Sequence, residues 1–238
     1  MRRKVWTEIK DKKITVVGLG RSGIGAANLL SELRADVTVT DVKTEDGLKD
    51  FIARLKPSVR LALGGHPEDI FVSTDMLVIS PGVPPGIPPV ACAKSKDIPI
   101  IGELELAYQI LNSKLVIPPA PPLEKGGWGD LKKGGKFEFL AVTGTNGKST
   151  TTALLDFMMK KGGFRTILGG NIGNALTEEI LKLVKSQESI VSSQKTLDSP
   201  ASLRKAGQAR LSTLDYLVAE VSSFQLESIK DFRPKVAA

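Results

Sequence analysis

Apolar positions along this chain gather into short β-branched runs separated by longer stretches with helical spacing. Lys13-Ile14-Thr15-Val16-Val17, Asp36-Val37-Thr38-Val39-Thr40, Met76-Leu77-Val78-Ile79 and Ile98-Pro99-Ile100-Ile101 read as strands. A helix is predicted from the glycines at 18–23 through about Leu33, and another over about 103–111. Further along, residues 137–142 and Tyr216-Leu217-Val218-Ala219 read as strands. The stretch 151–161 is helical in spacing, with Leu154, Leu155, Met158 and Met159 on one face. Strands alternating with helices predict an α/β protein with parallel sheets covered on both faces.

Two stretches have neither period. Residues 113–136 contain Pro118-Pro119-Ala120-Pro121-Pro122, then five glycines among 123–136, and read as a linker or insertion with Trp128 exposed in it. Residues 186–212, rich in Ser, Gln and Lys, read as a surface excursion after a helix ending near Lys185. Lys235-Val236-Ala237-Ala238 reads as the start of a further strand, so the chain is expected to be the front part of a longer protein.

Between the strand at 137–142 and the helix that follows lies Thr143-Gly144-Thr145-Asn146-Gly147-Lys148-Ser149-Thr150. A glycine-rich turn from strand to helix aims backbone N–H groups and a helix N-terminus at one spot, which suits a polyphosphate. Lys148 supplies a mobile positive charge for the outer phosphates, and the Ser149 hydroxyl can ligate Mg²⁺. The general phosphate-loop pattern begins with a glycine where this chain has Val142. A second glycine loop, Gly18-Leu19-Gly20-Arg21-Ser22-Gly23, also joins a strand to a helix, and Asp41 closes the next strand. That layout fits a nucleotide diphosphate: a dinucleotide such as NAD, or a UDP-sugar, with Asp41 accepting hydrogen bonds from a ribose or base.

Bulk properties narrow the field. The formal charge of +7 over 238 residues is spread evenly, with 20 basic and 17 acidic side chains in residues 1–138 and 13 and 9 in 139–238. Aromatic residues make up 5% of the chain and are not interleaved with basic ones, so no nucleic-acid partner is expected. One cysteine, Cys92, excludes an internal disulfide and reads as a small buried apolar residue at a helix start. The single histidine, His66, stands in a turn-like Gly64-Gly65-His66-Pro67 with nothing nearby to complete a catalytic triad. No apolar run reaches the length of a membrane span, so a cytoplasmic protein without a membrane partner is expected.

The compact phosphate loop resembles that of the Mur ligase and folylpolyglutamate synthase superfamily. Ile79-Ser80-Pro81-Gly82-Val83-Pro84-Pro85, Gly102-Glu103-Leu104-Glu105-Leu106, Gly169-Gly170-Asn171-Ile172-Gly173 and Glu220-Val221-Ser222-Ser223-Phe224-Gln225-Leu226-Glu227 extend the resemblance. With the first glycine loop they are similar, in order, to the D-glutamate-adding branch of the Mur ligase family. The resemblance implies a Rossmann-like UDP-sugar-binding domain over residues 1–112, a linker at 113–136, and a P-loop-type ATP-binding central domain, incomplete, over 137–238. It implies ATP-dependent joining of D-glutamate to UDP-N-acetylmuramoyl-L-alanine through an acyl phosphate, in peptidoglycan synthesis. Carried over by motif, Gly144, Thr145, Asn146, Gly147, Lys148, Ser149 and Thr150 bind ATP, with Lys148 as the catalytic cation. Ser149 and Glu220 hold Mg²⁺. Gly20, Arg21, Ser22, Asp41, Ser80, Gly82, Asn171, Ser222 and Gln225 line the substrate sites.

The chain also departs from the family pattern, which continues to a histidine and a carbamylated lysine at a second Mg²⁺ and then to a third domain. The stretches 118–136 and 186–212 are additions to it. A separate chain carrying the missing domain, a nucleotide-binding module without turnover, and a nicotinamide-dependent oxidoreductase using the first loop all stay open.

Overall fold

The computed structural model describes residues 9–84, 86–113, 137–194 and 214–238. The linker from 114 and the polar stretch from 195 to 213, Trp128 included, lie outside the described residues.

Each β-branched run forms a strand. In order come β1 (Lys13–Val17), α1 (Arg21–Glu32), β2 (Asp36–Asp41), α2 (Lys49–Ile52), β3 (Arg60–Leu63), α3 (Glu68–Val72), β4 (Met76–Ile79), α4 (Pro88–Ser95), β5 (Ile100–Gly102) and α5 (Glu103–Asn112). These strands pair in parallel in the order β3-β2-β1-β4-β5. A second parallel sheet follows, with β6 (Glu138–Val142), α6 (Lys148–Lys161), β7 (Thr166–Gly170), α7 (Leu176–Gln194), β8 (Tyr216–Glu220), α8 (Ser223–Leu226) and β9 (Val236–Ala237). Its order is β7-β8-β6-β9. The α/β class and the all-parallel pairing are those the alternation predicts.

Four details differ from the sequence reading. β3 is an additional short edge strand that the sequence reading did not include, and its first residues Arg60 and Leu61 are exposed. α7 continues to Gln194 rather than ending near Lys185. Cys92 is half-buried, because α4 turns Val90 and Ala93 into the core instead. In α6 the buried positions are Thr152 and Asp156, while Leu154 and Met158 are 55% and 61% exposed. Asp156 explains that rotation: its carboxylate accepts from Lys160 at 2.7 Å and from the Thr166 hydroxyl of β7, pinning the polar face inward.

One continuous core runs through both sheets, with α1, α5 and α7 between them. Gly25 of α1 allows close approach, since a Cβ there would stand 2.6 Å from the Thr177 hydroxyl at the start of α7. Two buried carboxylates in the first turn of α5 complete the junction. Glu105 accepts backbone N–H groups from Lys230, Asp231 and Phe232 at 2.8, 3.0 and 2.9 Å. Glu103 accepts from both the backbone N–H and the hydroxyl of Thr177, at 2.7 and 2.8 Å. Phe232 packs edge to face on Tyr108 and Phe139, which are tilted against each other, across the same seam, with centroids 5.1–5.8 Å apart.

Replacing Glu105 by Gln puts an NH₂ in place of one of the two oxygens that accept the N–H groups of 230–232, and should cost about 1–3 kcal/mol in denaturant unfolding of the whole chain. Glu103 generates a pH prediction. Burial pushes its carboxyl above the ordinary 4.5, against the lowering effect of the Thr177 hydrogen bonds. A carboxyl with a raised folded-state pKa binds a proton more tightly when folded. Its favourable contribution is therefore present below the unfolded pKa and is lost as pH climbs through the raised value. Glu103→Gln removes that loss, so melting curves from about pH 4 to about pH 7 should show the variant gaining on the wild type as pH rises.

Candidate functional site

Strand register brings the predicted residues to one end of each sheet. In the first sheet Val17 lies opposite Thr40 and Ile79, so Gly18, Asp41 and Ser80 leave the sheet together at its carboxyl end. The order of strands reverses between β1 and β4, where a crevice opens in folds of this type. Gly18, at φ +92°, makes the turn, and the buried Ser80 hydroxyl donates to its carbonyl at 2.8 Å. Gly23 is required by packing, because a Cβ there would meet the Gly18 carbonyl oxygen at 2.0 Å.

Asp41 is engaged by the loop itself. One carboxylate oxygen accepts from the Leu19 N–H at 2.7 Å, the other from the Lys43 N–H at 2.9 Å. The loop is thus shaped before any ligand arrives.

A cleft of about 500 Å³ opens over this loop. Gly20, Arg21, Ser22, Asp41, Ser80 and Gly82 line it from the first unit, and Asn171 and Gln225 from the second. Ser222 is the one predicted substrate residue outside the lining. It caps α8 instead, its hydroxyl accepting from the Gln225 N–H while the Gln225 side chain accepts from the Ser222 N–H.

The cleft also includes residues that sequence reasoning passed over: Val42, Lys43, Leu48, Phe51 and His66. The His66 Nδ1 stands 3.0 Å from the Thr40 hydroxyl, and its ring meets Phe71 edge-on. Burial lowers its pKa, and the nearby Asp41 carboxylate opposes that shift. The signal that would have pointed to His66 is its place just beyond β3, an edge strand that the pattern did not reveal.

In the second sheet Glu220, the last residue of β8, lies opposite both Val142 and Gly170. Two loops leave the sheet at its sides, 143–147 after β6 and 171–175 after β7. Gly147 caps α6 at φ +76°, and Gly144 has φ +137°. No side chain caps this helix and no acidic residue occupies its first turn, which leaves its leading N–H groups for an anion. The Lys148 ammonium donates to the Gly144 and Thr145 carbonyls at 2.7 and 3.3 Å. Thr145, Asn146, Ser149 and Thr150 are exposed around it.

Glu220 is 1% exposed. Its Oε1 accepts from the Asn171 amide at 2.8 Å, and its buried Oε2 has no hydrogen-bond donor. A buried carboxylate oxygen without a donor is costly unless a cation meets it. The carboxylate of Glu220 and the exposed hydroxyl of Ser149 at the start of α6 are the hard oxygen donors that suit a divalent cation. Among the described residues no three His, Cys, Asp or Glu side chains converge as a metal cage. No helix among them is long and apolar enough to cross a membrane.

Two glycine loops thus stand at the carboxyl ends of two parallel sheets, the second beside a buried carboxylate. The description "Mur ligase MurD-like, N-terminal domain" matches residues 12–102, and "Mur ligase middle domain" matches 142–238. The chain belongs to the Mur ligase family. It is 38% identical over 231 residues to a UDP-N-acetylmuramoylalanine--D-glutamate ligase of Geotalea daltonii, covering 97% of this chain and 40% of that protein. To the ligase of the same name from Clostridioides difficile it is 34% identical over 233 residues, with the same coverage. The chain therefore spans about 40% of the length of these curated relatives. A solved ligase of Neisseria meningitides superposes with a TM-score of 0.48 at 15% identity, covering 95% of this chain and 59% of that one.

Gly170 tests the geometry around Glu220. It has φ +105°, and a Cβ there would stand 2.4 Å from the Glu220 carbonyl oxygen. Gly170→Ala should destabilise the chain by about 3 kcal/mol in denaturant unfolding, through strain and overpacking together.

Proposed function

We propose that the chain supplies two substrate sites to the ligation of D-glutamate onto UDP-N-acetylmuramoyl-L-alanine. Residues 1–112 carry the UDP-linked substrate and residues 137–238 carry ATP with Mg²⁺. One observation supports this reading above the others: Asn171 lines the cleft over the first glycine loop and donates to Glu220, which pairs in register with Val142, the residue before the phosphate loop. A substrate anchored by its diphosphate at the first loop then extends its far end toward the nucleotide held at the second.

The chemistry needs that arrangement. A carboxylate is a poor electrophile; transfer of a phosphoryl group to it gives an acyl phosphate, and an attacking amine then expels phosphate to leave an amide. Phosphoryl transfer depends mostly on positioning and on neutralising charge. The N–H groups at the start of α6 bind the phosphate oxygens. The Lys148 ammonium, released from the Gly144 and Thr145 carbonyls, meets the outer phosphates. Mg²⁺, when bound there, would neutralise negative charge on the phosphates. Glu220 offers its unpartnered oxygen to that ion, and Ser149 its hydroxyl. Asn171 holds Glu220 in the orientation this requires. The diphosphate of the UDP moiety sits over Gly18–Gly23, at the N-terminus of α1.

Titration calorimetry on the whole chain tests both sites. UDP-N-acetylmuramoyl-L-alanine should bind and NAD⁺ should bind more weakly; tighter binding of NAD⁺ would favour a dehydrogenase-like use of the first loop. Lys148→Ala should weaken ATP·Mg²⁺ by at least about tenfold, the loss of one charge-assisted contact of about 1.4 kcal/mol. An unchanged affinity would remove the phosphate loop from the proposal.

A further inference from the structure

Arg21 is the first residue of α1, in the loop assigned to the UDP diphosphate, yet its guanidinium reaches across to the second unit. One nitrogen donates to the Gly173 carbonyl at 3.0 Å and another to the Asn171 carbonyl at 3.5 Å. These carbonyls belong to the tight turn after β7, closed by the Gly170 N–H on the Asn174 carbonyl at 3.0 Å, with Gly173 at φ +68°. From the other side of the turn, Asn171 faces Glu220. Its backbone N–H donates to the Glu220 carbonyl at 2.9 Å, and its side-chain amide to Oε1 at 2.8 Å. A guanidinium on one glycine loop is thus two hydrogen bonds removed, through Asn171, from the carboxylate beside the other.

We propose that Arg21 is a positioning residue that couples the first glycine loop to the metal-binding orientation of Glu220. This rests on the reading of Glu220 as an Mg²⁺ ligand and goes beyond it, since Arg21 itself touches neither ATP nor the metal. Among the described residues Glu220 has one hydrogen bond to fix its carboxylate, the one from Asn171, and Asn171 is an exposed residue of a glycine-rich turn. The planar fork of Arg21 grips that turn by two carbonyls at once, in a fixed geometry that an ammonium on a flexible stem holds less rigidly. Its charge is also unpaired: among the described residues no carboxylate forms an ion pair with it. A diphosphate on the first loop supplies the missing counter-charge without competing for the face turned to the carbonyls. Occupancy of the first loop then stiffens the clasp, and stiffening favours the ion at Glu220. Linkage makes the effect mutual.

The experiment compares the wild-type chain, Arg21→Ala and Arg21→Lys by amide hydrogen exchange and by calorimetry with ATP, in Mg²⁺ and in EDTA, with and without UDP as the diphosphate probe. Arg21→Ala should speed exchange at residues 170–174 by about tenfold while leaving β6 unchanged. It should weaken ATP about fivefold in Mg²⁺ and leave ATP in EDTA unaffected, and it should abolish the strengthening of ATP·Mg²⁺ by UDP. Arg21→Lys, which keeps the charge and loses the fork, should fall between the two. Equal weakening in Mg²⁺ and in EDTA would mean general damage and overturn the proposal, as would unchanged exchange at 170–174. If the wild-type chain binds no ATP, the nucleotide reading itself falls. The exchange comparison still decides separately whether Arg21 holds the turn.

Discussion

Two carboxylates buried in the first turn of α5 determine where the second sheet sits relative to the first. Glu105 binds three consecutive backbone N–H groups of the 230–232 segment, and Glu103 binds the start of α7. Both act through backbone donors and a hydroxyl rather than through a basic partner. Both lie in the first turn of a helix, where acidic residues are favoured. Without this junction the cleft has only one wall, because Asn171 and Gln225 come from the far side of it. The Gly25–Thr177 contact and the aromatic cluster around Phe139 add packing to a placement that the carboxylates make specific.

The sequence displayed the parts of the site that depend on backbone geometry. Glycine turns between strand and helix force particular dihedral angles, and such requirements are written in residue type, as Gly18, Gly144 and Gly147 illustrate. Strands buried on both faces were equally legible, because β1, β4 and β8 are nearly continuous apolar runs. β3 escaped notice because an edge strand needs only one paired side and tolerates Arg60 and Leu61 in water. His66 went with it, since its place in the cleft depends on where that strand ends. The face of α6 was misjudged for a different reason. Apolar spacing located the helix correctly, but the hydrogen bonds of Asp156 chose which side turned inward.

Some side chains assigned to ligand contact by motif are occupied within the protein. Asp41 bonds two backbone N–H groups, Ser80 bonds the Gly18 carbonyl, and Ser222 and Gln225 cap each other. Motifs of this family therefore encode scaffolding as well as contact. A residue can recur at a site because it shapes the loop that meets the ligand. Glu220 is the contrast, with one oxygen tied to Asn171 and the other turned into a space that contains no donor.

Lys148 holds the phosphate loop closed on itself, its ammonium lying between the Gly144 and Thr145 carbonyls. Before a nucleotide can use that charge it must break these bonds, whereas the first loop, stapled by Asp41, needs no such rearrangement. On the reading proposed above the two sites therefore differ in preparation: the first loop is already shaped for a ligand, while at the second a lysine exchanges its own backbone carbonyls for the incoming charge.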